Sequence, residues 1–346
     1  RSRAVARRSA AAIASASARQ AAAMSKPTPG KRGRGCAYGP PELGALLTFT
    51  GSRWRLWREA PEERDAELSH NDPSESYTQA CWGPDASEAG AADHRFALGC
   101  ASGRVQVWDS RSGDAAGPTA AAFAAVARGA GCAIAAIALS RPERGAVFVG
   151  CQAVPQILEV SIADGTTRTT IKAGKVGVVQ LASVGLGFDE WLLSACPGSA
   201  LKLWHAPPPS SKASVTQKLK LAGPADTSTC VSVCCQKGRL LALCADGTAQ
   251  VDVFSVDASA EAPAKPASAA FALSSLEYMT AARFMSSPGQ AEGRTCVVGC
   301  GPTAATCWSF RVDRPGRGSG PKTVTALFVV FAADLGGRVL AARPAL

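Results

Sequence analysis

The cysteines and histidines are the residues whose chemistry could make a metal site in this chain. There are thirteen cysteines and three histidines. A structural zinc site needs paired spacing such as Cys-x-x-Cys with further ligands nearby, and no such pair occurs. Cys230, Cys234 and Cys235 instead lie on a segment in which apolar residues alternate. The sequence therefore predicts buried free thiols and no metal ligands.

Nucleophilic or cofactor chemistry also lacks a recognisable motif. His70, His94 and His205 fall in connections or at strand ends, each without a partner at a motif spacing. A Ser-His-Asp triad could still assemble in space, because triads are defined by geometry and not by sequence order. The glycines of GCGP, Gly299 to Pro302, are not followed by a helix, which argues against a phosphate-binding loop. We therefore predict no catalytic residue, no cofactor-binding residue and no cofactor.

The cysteines do mark a structural repeat. Five of them occupy the same place in successive segments, just before a turn: Cys100, Cys151, Cys196, Cys244 and Cys300. The clearest of these segments is FALGCASGRVQVWD, Phe96 to Asp109. Apolar residues alternate on both sides of Ser102-Gly103, which predicts a β-hairpin whose glycine supplies a positive φ. A small apolar cysteine before each turn suits closely packed strands.

This hairpin recurs along most of the chain. Further copies span residues 46–57, 147–160, 192–204, 240–254 and 296–310, with a fainter seventh copy from Phe328 to Ala342. The turn markers are 52, 50, 45, 49, 54 and 35 residues apart: Gly51, Gly103, Ala153, Gly198, Gly247, Gly301 and Gly336. A period near 50 residues indicates one four-stranded sheet per repeat. The last spacing is too short for a complete repeat.

A further apolar strand precedes several of the hairpins. Such strands end in Pro- or Gly-marked turns at residues 77–85, 133–143, 230–238 and 280–289. Each repeat then reads strand, turn, strand, turn, strand and a variable connection. A meander of this kind buries both of its faces only when neighbouring sheets stack around an axis.

Trp108-Asp109 is the residue pair after which WD repeats are named. Because of this pair and the recurring hairpins, residues 44–310 resemble a WD-repeat β-propeller. The resemblance implies an all-β fold of six to seven four-stranded blades at residues 42–346, preceded by a disordered basic tail at residues 1–41. Whether residues 311–346 form a further blade is not decided by the sequence. The chain has no Gly-His dipeptide and a single Trp-Asp pair, so the family's Asp-His-Ser-Trp hydrogen-bond network is not predicted as a whole.

Four tryptophans recur near the ends of equivalent strands: Trp57, Trp108, Trp204 and Trp308. Because their spacing follows the structural repeat, we expect them in the core between blades rather than in a base-stacking platform. Binding variation is expected in the connections at residues 58–76, 205–218 and 255–270. The first of these is acidic, and the other two are rich in Pro, Ala and Ser.

The basic charge of the chain is concentrated at its start. The net charge is +10, yet residues 1–41 contain nine Arg or Lys and no acid, and the other 305 residues carry 28 basic against 27 acidic side chains. Attraction to RNA is therefore expected from the tail rather than from a basic face of the body. Two interpretations of the tail stay open. It could be an organelle transit peptide, or Met24 could be the true start, leaving a short basic arm that suits a nuclear or nucleolar address.

No transmembrane segment is predicted. The longest apolar run, Val324 to Ala333, is well short of the ~20 residues that a spanning helix needs. Many thiols without a disulfide framework favour a reducing compartment. We therefore expect no membrane partner.

The order of the blades gives a finer resemblance. SRWRLW, YTQACWGPD, FALGCASGRVQVWD, LLSACPGSALKLW and LLALCADGTAQVDVF follow one another as in the nucleolar WD-repeat subunits of the small-subunit processome, in its transcription-coupled subcomplex associated with the U3 small nucleolar RNA. This resemblance implies a nucleolar or nuclear scaffold in ribosome biogenesis and ribosomal RNA processing. It would bind other protein subunits, would contact precursor ribosomal RNA and small nucleolar RNA indirectly or through the tail, and would take no small-molecule substrate.

Several alternatives to this interpretation stay open. Members of that family usually carry a helical domain after the propeller, and the sequence up to Leu346 contains none. The chain is then either a fragment or similar to propellers in general. A generic WD-repeat adaptor, in the cytoplasm or elsewhere, is the nearest alternative. A propeller enzyme would need acidic, histidine or metal-binding residues around its axis, and the sequence shows no such set.

Overall fold

A computed structural model gives the architecture of the chain. It describes residues 34–39, 45–58, 68–83, 93–120, 122, 132–151, 153–186, 188–197, 201–211, 214–221, 230–236, 239–245, 250–257, 271–274, 281–285, 294–300 and 305–311. These residues form 22 strands and no helix. They fall into two compact units, one ending at Lys220 and the other beginning at Leu221. Within the described residues, no helix is long and apolar enough to span a bilayer.

The first two blades are antiparallel meanders. The first contains four strands in chain order: β1 (Arg34–Tyr38), β2 (Ala45–Thr50), β3 (Arg53–Arg58) and β4 (Leu68–Asn71). The second contains three: β5 (Tyr77–Trp82), β6 (Arg95–Cys100) and β7 (Val105–Asp109). Isolated bridges from Val105 to Ala120 and from Trp108 to Ala115 place an irregular segment beside β7. This segment takes the place of a fourth strand.

The third and fourth blades each have four strands. The third contains β8 (Ile134–Leu139), β9 (Ala146–Cys151), β10 (Val154–Ser161) and β11 (Thr167–Lys172). The fourth contains β12 (Gln180–Leu186), β13 (Asp189–Ala195), β14 (Leu201–Ala206) and β15 (Thr216–Leu221). The first strands of successive blades contact one another, β1 with β5, β5 with β8 and β8 with β12.

The second unit repeats the same pattern. The fifth blade contains β16 (Cys230–Gln236), β17 (Arg239–Ala245), β18 (Gln250–Asp257) and β19 (Phe271–Ser274). The sixth contains β20 (Ala281–Met285), β21 (Arg294–Cys300) and β22 (Ala305–Arg311). Its first strand, β20, contacts β16.

The core of the first unit lies between neighbouring blades, as β9 shows. All six of its residues are buried. Val147, Val149 and Cys151 pack in one cluster with Val105 and Val107 of the second blade, whereas Phe148 packs with Leu192 and Trp204 of the fourth blade. Because successive side chains of a strand point to opposite faces, a strand covered on both sides needs an apolar residue at nearly every position.

The predicted hairpins are confirmed where the structure describes them. They correspond to β2–β3, β6–β7, β9–β10, β13–β14, β17–β18 and β21–β22, and Gly51 and Gly103 have φ values of 57° and 82°. The four preceding strands are β5, β8, β16 and β20. The seventh copy, Phe328 to Ala342, lies outside the described residues.

The sequence analysis missed several strands. The outermost strands β4 and β15 lie wholly or partly in segments assigned to the variable connections, and β12 was not assigned. The strand β1 lies within the predicted tail 1–41, where it pairs with β2. These strands are short or lie at sheet edges, so that one face meets solvent and their apolar alternation is weak.

The repeated cysteines occupy the predicted positions. Cys100 and Cys151 end β6 and β9, Cys196 follows β13, and Cys244 lies near the end of β17. All four are buried, and burial raises the pKa of the Cys100 and Cys196 thiols. The side chain of Cys300 lies outside the described part of the structure. Among the described residues, no group of three or more His, Cys, Asp or Glu side chains is arranged as metal ligands.

Part of the family's hydrogen-bond network is present. The indole N–H of Trp204 donates to Ser194 Oγ at 2.9 Å, and that of Trp57 donates to Thr48 Oγ1 at 3.1 Å. In each case the acceptor lies two residues beyond the residue opposite the tryptophan. Leu98 occupies this place opposite Trp108, and the buried N–H of Trp108 has no partner among the described residues.

Burial of the tryptophans follows the prediction in two of four positions. Trp108 and Trp204 are buried, whereas Trp57 is 40% exposed. The expectation of an interblade core position is therefore wrong for Trp57, which lies on β3 just beyond Leu56, the last residue that pairs with β4. The side chain of Trp308 lies outside the described residues.

The two buried tryptophans allow a matched test of this network. Both Trp204→Phe and Trp108→Phe remove similar apolar area, but only the first leaves a buried hydroxyl, Ser194, without its donor. We expect Trp204→Phe to lower the free energy of unfolding by about 1–2 kcal/mol more than Trp108→Phe. Urea denaturation of the two variants measures the difference. Equal losses would contradict a stabilising role for the Trp204–Ser194 hydrogen bond.

Candidate functional site

A group of buried charges lies where the turn between β8 and β9 meets the fourth blade. Two arginines of this turn, Arg141 and Arg144, reach side chains or carbonyls of the fourth blade. A six-residue turn can place both there because Gly145, with a φ of 58°, reverses the chain directly into β9. The turn thus connects the third and fourth blades by charged side chains rather than by apolar packing alone.

Arg144 forms the most enclosed ion pair of the group. Its Nε and Nη2 donate to the two carboxylate oxygens of Glu159 at 2.9 and 3.0 Å. Its Nη1 donates to the carbonyl of Pro207 at 2.7 Å, just after β14, and the guanidinium lies 5.5 Å from the centre of the Phe148 ring. Both members of the pair are buried. A two-point arginine–carboxylate pair of this kind fixes orientation as well as distance.

Arg141 holds a second carboxylate less completely. Its Nε and its backbone N–H donate to Glu190 Oε2 at 3.4 Å each, and its Nη2 donates to the carbonyl of Asp189 at 2.9 Å. Glu190 is 1% exposed, and its Oε1 has no hydrogen-bond partner among the described residues. Burial raises the pKa of Glu190 to about 7, and the nearby Arg141 and Arg144 oppose this shift.

His205 is the one sequence-identified histidine that this group contains. Its Nε2 lies 3.1 Å from Asp189 Oδ2, and its ring lies 5.0 Å from the Trp191 ring centre. The partner of His205 was not predicted, because the contact depends on the cross-strand register of the β13–β14 hairpin and not on a motif spacing along the chain. The cross-strand register, Trp191 opposite His205, is the signal that could have found it.

The other two histidines lie in the second blade and its neighbour. The His70 ring centre lies 4.7 Å from that of Trp108 and 6.2 Å from that of Trp54, in an aromatic cluster. The carbonyl of His94 accepts a hydrogen bond from the N–H of Ser110 at 2.8 Å. The structure therefore does not bring the three histidines together.

The buried arginines and glutamates hold neighbouring segments in place and are not accessible to a substrate in solution. General acid–base catalysis needs a titratable group within hydrogen-bond reach of the reacting atom. In this conformation Glu190 and Glu159 are enclosed by Arg141, Arg144 and strand residues, so a dissolved substrate does not reach them. What the arrangement does chemically is fix the β12–β13 turn against the third blade.

An exposed phenylalanine projects from this fixed turn. Phe188 directly precedes Asp189 and Glu190 and is 89% exposed. Pro142 on the β8–β9 turn and Pro209 after β14 are also exposed on the segments that the arginines join. We call Phe188, Pro142 and Pro209, with the partly exposed Asp189 and His205, the turn surface. Exposed aromatic side chains on rigid supports are typical of protein-binding surfaces.

Comparison with known proteins bears on the fold. No protein-family model and no curated protein matches the chain. A chain of the crystal structure of the mitotic checkpoint complex is similar, with a TM-score of 0.57 and 16% identity over 90% of this chain and 85% of that chain. The crystal structure of the computationally designed Ika8 protein matches 77% of this chain and 68% of that chain, with 16% identity and a TM-score of 0.49.

At this level of identity the first similarity concerns the fold alone. Together with the successive antiparallel meanders, it confirms the fold predicted from the sequence, an all-β β-propeller.

Proposed function

We propose that this chain is a non-catalytic β-propeller scaffold that assembles protein subunits during biogenesis of the small ribosomal subunit. The observation that carries the scaffold role is the turn surface, where an 89% exposed phenylalanine stands on a turn held by buried arginines. A large apolar side chain in water costs free energy that a protein partner recovers by covering it.

The rigidity of the turn supports a binding role for Phe188. Binding loses less free energy when the contact residues are already ordered, because fewer rotatable groups must be immobilised. Arg141 donates to the Asp189 carbonyl and to Glu190, the two residues after Phe188. The backbone directly after Phe188 is therefore held in place before any partner arrives.

The ribosomal setting is supported by the order of the blades and by the distribution of charge. The blade succession resembles processome WD-repeat subunits, and the nine basic residues without an acid at residues 1–41 suit a nucleolar address and contact with RNA. The partners in this proposal are other protein subunits of a complex around precursor ribosomal RNA and small nucleolar RNA. The site of action is the nucleolus.

Affinity capture of the tagged full chain from eukaryotic cells tests this proposal. Bound proteins and bound RNA are identified from the same sample. Recovery of processome subunits with precursor ribosomal RNA and small nucleolar RNA, at levels above those of an unrelated propeller, is the expected result. A defined complex without any pre-ribosomal component would overturn the ribosomal role and leave a scaffold of another assembly.

The same capture tests the turn surface directly. We expect Phe188→Ser to lower recovery of the protein subunits about tenfold, since loss of one central aromatic contact costs about 2 kcal/mol or more. Arg111→Ser is the control, because the side chain of Arg111, on a turn of the second blade, is 66% exposed and belongs to neither proposed surface. Unchanged recovery with Phe188→Ser would show that the partners bind elsewhere on the chain.

A further inference from the structure

Lysines gather in one part of this chain. Eleven of its 37 basic residues are lysines, and six of these eleven lie between residues 172 and 220. Residues 165–225 contain seven basic side chains and only two acidic ones, Asp189 and Glu190. The body of the chain is nearly neutral as a whole, but this segment is not.

The structure brings four of these lysines to the same end of two neighbouring blades. Lys172 ends β11, Lys175 lies on the loop that leads to β12, Lys202 begins β14 and Lys220 lies near the end of β15. Lys202 Nζ donates to the carbonyl of Ala173, which joins the start of β14 to this loop. Lys172, Lys175 and Lys220 are exposed. We call these four residues the lysine surface.

The charges of this surface act on one another. Burial lowers the pKa of Lys202, the Cys196 thiol opposes the shift, and the positive charge of Lys220 lowers the pKa further. Lys220 can act on Lys202 because the end of β15 lies beside the start of β14 in an antiparallel pair. Lys202 and Lys220 are therefore close enough for their positive charges to add.

Neighbouring carboxylates do not neutralise this region. None of the described residues of the β9–β10 turn, the β11–β12 loop or the β13–β14 turn is Asp or Glu. Asp189 and Glu190 begin β13, whereas Cys196, at the other end of that strand, faces Gly174 of the loop. A seven-residue strand separates the two ends by about 20 Å. Both acids are also engaged, with His205 and Arg141.

The loop adds hydrogen-bond donors to the positive charge. The N–H of Ala173 donates to Pro155 and that of Val178 donates to Cys151. Among the described residues, no acceptor is found for the intervening N–H groups of Gly174, Lys175 and Val176. Free backbone N–H groups next to lysines are suited to anionic oxygens.

The lysines of this surface suit phosphate oxygens. Lysine acts as a compact point charge and is an established ligand of phosphate in proteins. The lysine surface contains no arginine, although arginine is the commoner basic residue in this chain. Several separate point charges of this kind fit the regularly spaced phosphates of an extended polyanion.

We propose that the lysine surface binds the phosphate backbone of single-stranded RNA. This assigns to the folded body a contact that the sequence analysis expected only of the tail. The inference rests on the proposed function for the choice of RNA over other phosphate chains. The contact is independent of base sequence, because phosphates position a nucleic acid without specifying its sequence.

Fluorescence anisotropy of the full chain with a labelled 30-nucleotide uridine RNA tests this proposal. The variant is Lys175→Gln/Lys220→Gln, and the matched control is Arg53→Gln/Arg111→Gln, which removes two exposed charges from the first two blades. We expect the lysine variant to bind about tenfold more weakly at 100 mM KCl, and its salt slope to fall by about 1.4, since each single-strand phosphate contact contributes about 0.7. The control should bind as the unmodified chain does.

Two results would overturn the proposal. Equal binding by the lysine variant and the control would assign RNA attraction to other parts of the chain. A tenfold loss for a labelled polyglutamate peptide, without a loss for the RNA, would make the surface a site for acidic peptides. Weaker RNA binding by the lysine variant, together with a capture that lacks pre-ribosomal components, would uphold the lysine surface and reject the ribosomal setting alone.

Discussion

Replacing Arg144 with methionine is expected to lower the free energy of unfolding by about 3–5 kcal/mol. Methionine fills a similar volume, but Glu159 then remains buried without the two hydrogen bonds of 2.9 and 3.0 Å that now neutralise it. The Pro207 carbonyl also loses its donor. Because Arg144 joins the third blade to the segment after β14, the loss should appear in the cooperative unfolding of the first unit.

Two further variants separate this effect from a general sensitivity to arginine loss. Arg111 pairs with Asp109 at 2.8 Å, but its side chain is 66% exposed, and we expect Arg111→Met to lower the free energy of unfolding far less than Arg144→Met does, because solvent screens the exposed pair. The double variant Arg144→Met/Glu159→Leu removes both buried charges and should recover most of the lost stability. Guanidinium denaturation followed by tryptophan fluorescence measures all three. A loss for Arg144→Met no larger than that for Arg111→Met would contradict this account of the pair.

Glu190 is expected to make the stability of the chain fall as the pH rises from about 4.5 to about 7. Burial raises its folded-state pKa to about 7, above the value of about 4.3 for an unperturbed glutamate. The unfolded chain therefore loses this proton first. The stabilising contribution is fully present below the unfolded pKa and is lost as the pH passes through the folded pKa, an effect of about 2 kcal/mol between pH 5 and pH 8.

Glu190→Gln isolates this effect, because glutamine keeps the shape of the side chain and does not titrate. Relative to the unmodified chain, the variant should gain about 2 kcal/mol of stability between pH 5 and pH 8. The charged and titratable groups around Glu190, which are Arg141, Arg144, Asp189 and His205, are the same in both proteins and cancel in the comparison. Urea denaturation at both pH values measures the difference. A difference that does not change with pH would mean that Glu190 does not titrate in this range.

The sequence failed to locate the candidate sites for a physical reason. Arg141 and Glu190 are 49 residues apart, and Arg144 and Pro207 are 63 residues apart. Such pairs form because neighbouring blades stack, and no local pattern records which turns then meet. The lysine surface was missed in a similar way, since a count of charges over the whole body hides their segregation to one end of two blades.

The exposure of Phe188 was also not predictable from the sequence. In the sequence it is one apolar residue beside a predicted strand, and apolar residues there are mostly buried. In the structure its side chain is 89% exposed at the β12–β13 turn. Whether an aromatic side chain is core or surface at such a position is decided by what packs over the turn.

The sequence by itself determined the repeat, the β-hairpins and the all-β propeller fold class. These follow from local regularities: alternation of apolar residues across Phe96 to Asp109, glycine at Gly51 and Gly103, and a small cysteine before five of the turns. Each depends on the conformation of a few neighbouring residues, so each can be predicted from the amino-acid sequence. The buried ion pairs, the turn surface and the lysine surface were decided only by the tertiary structure, because they join residues that meet through the stacking of successive blades.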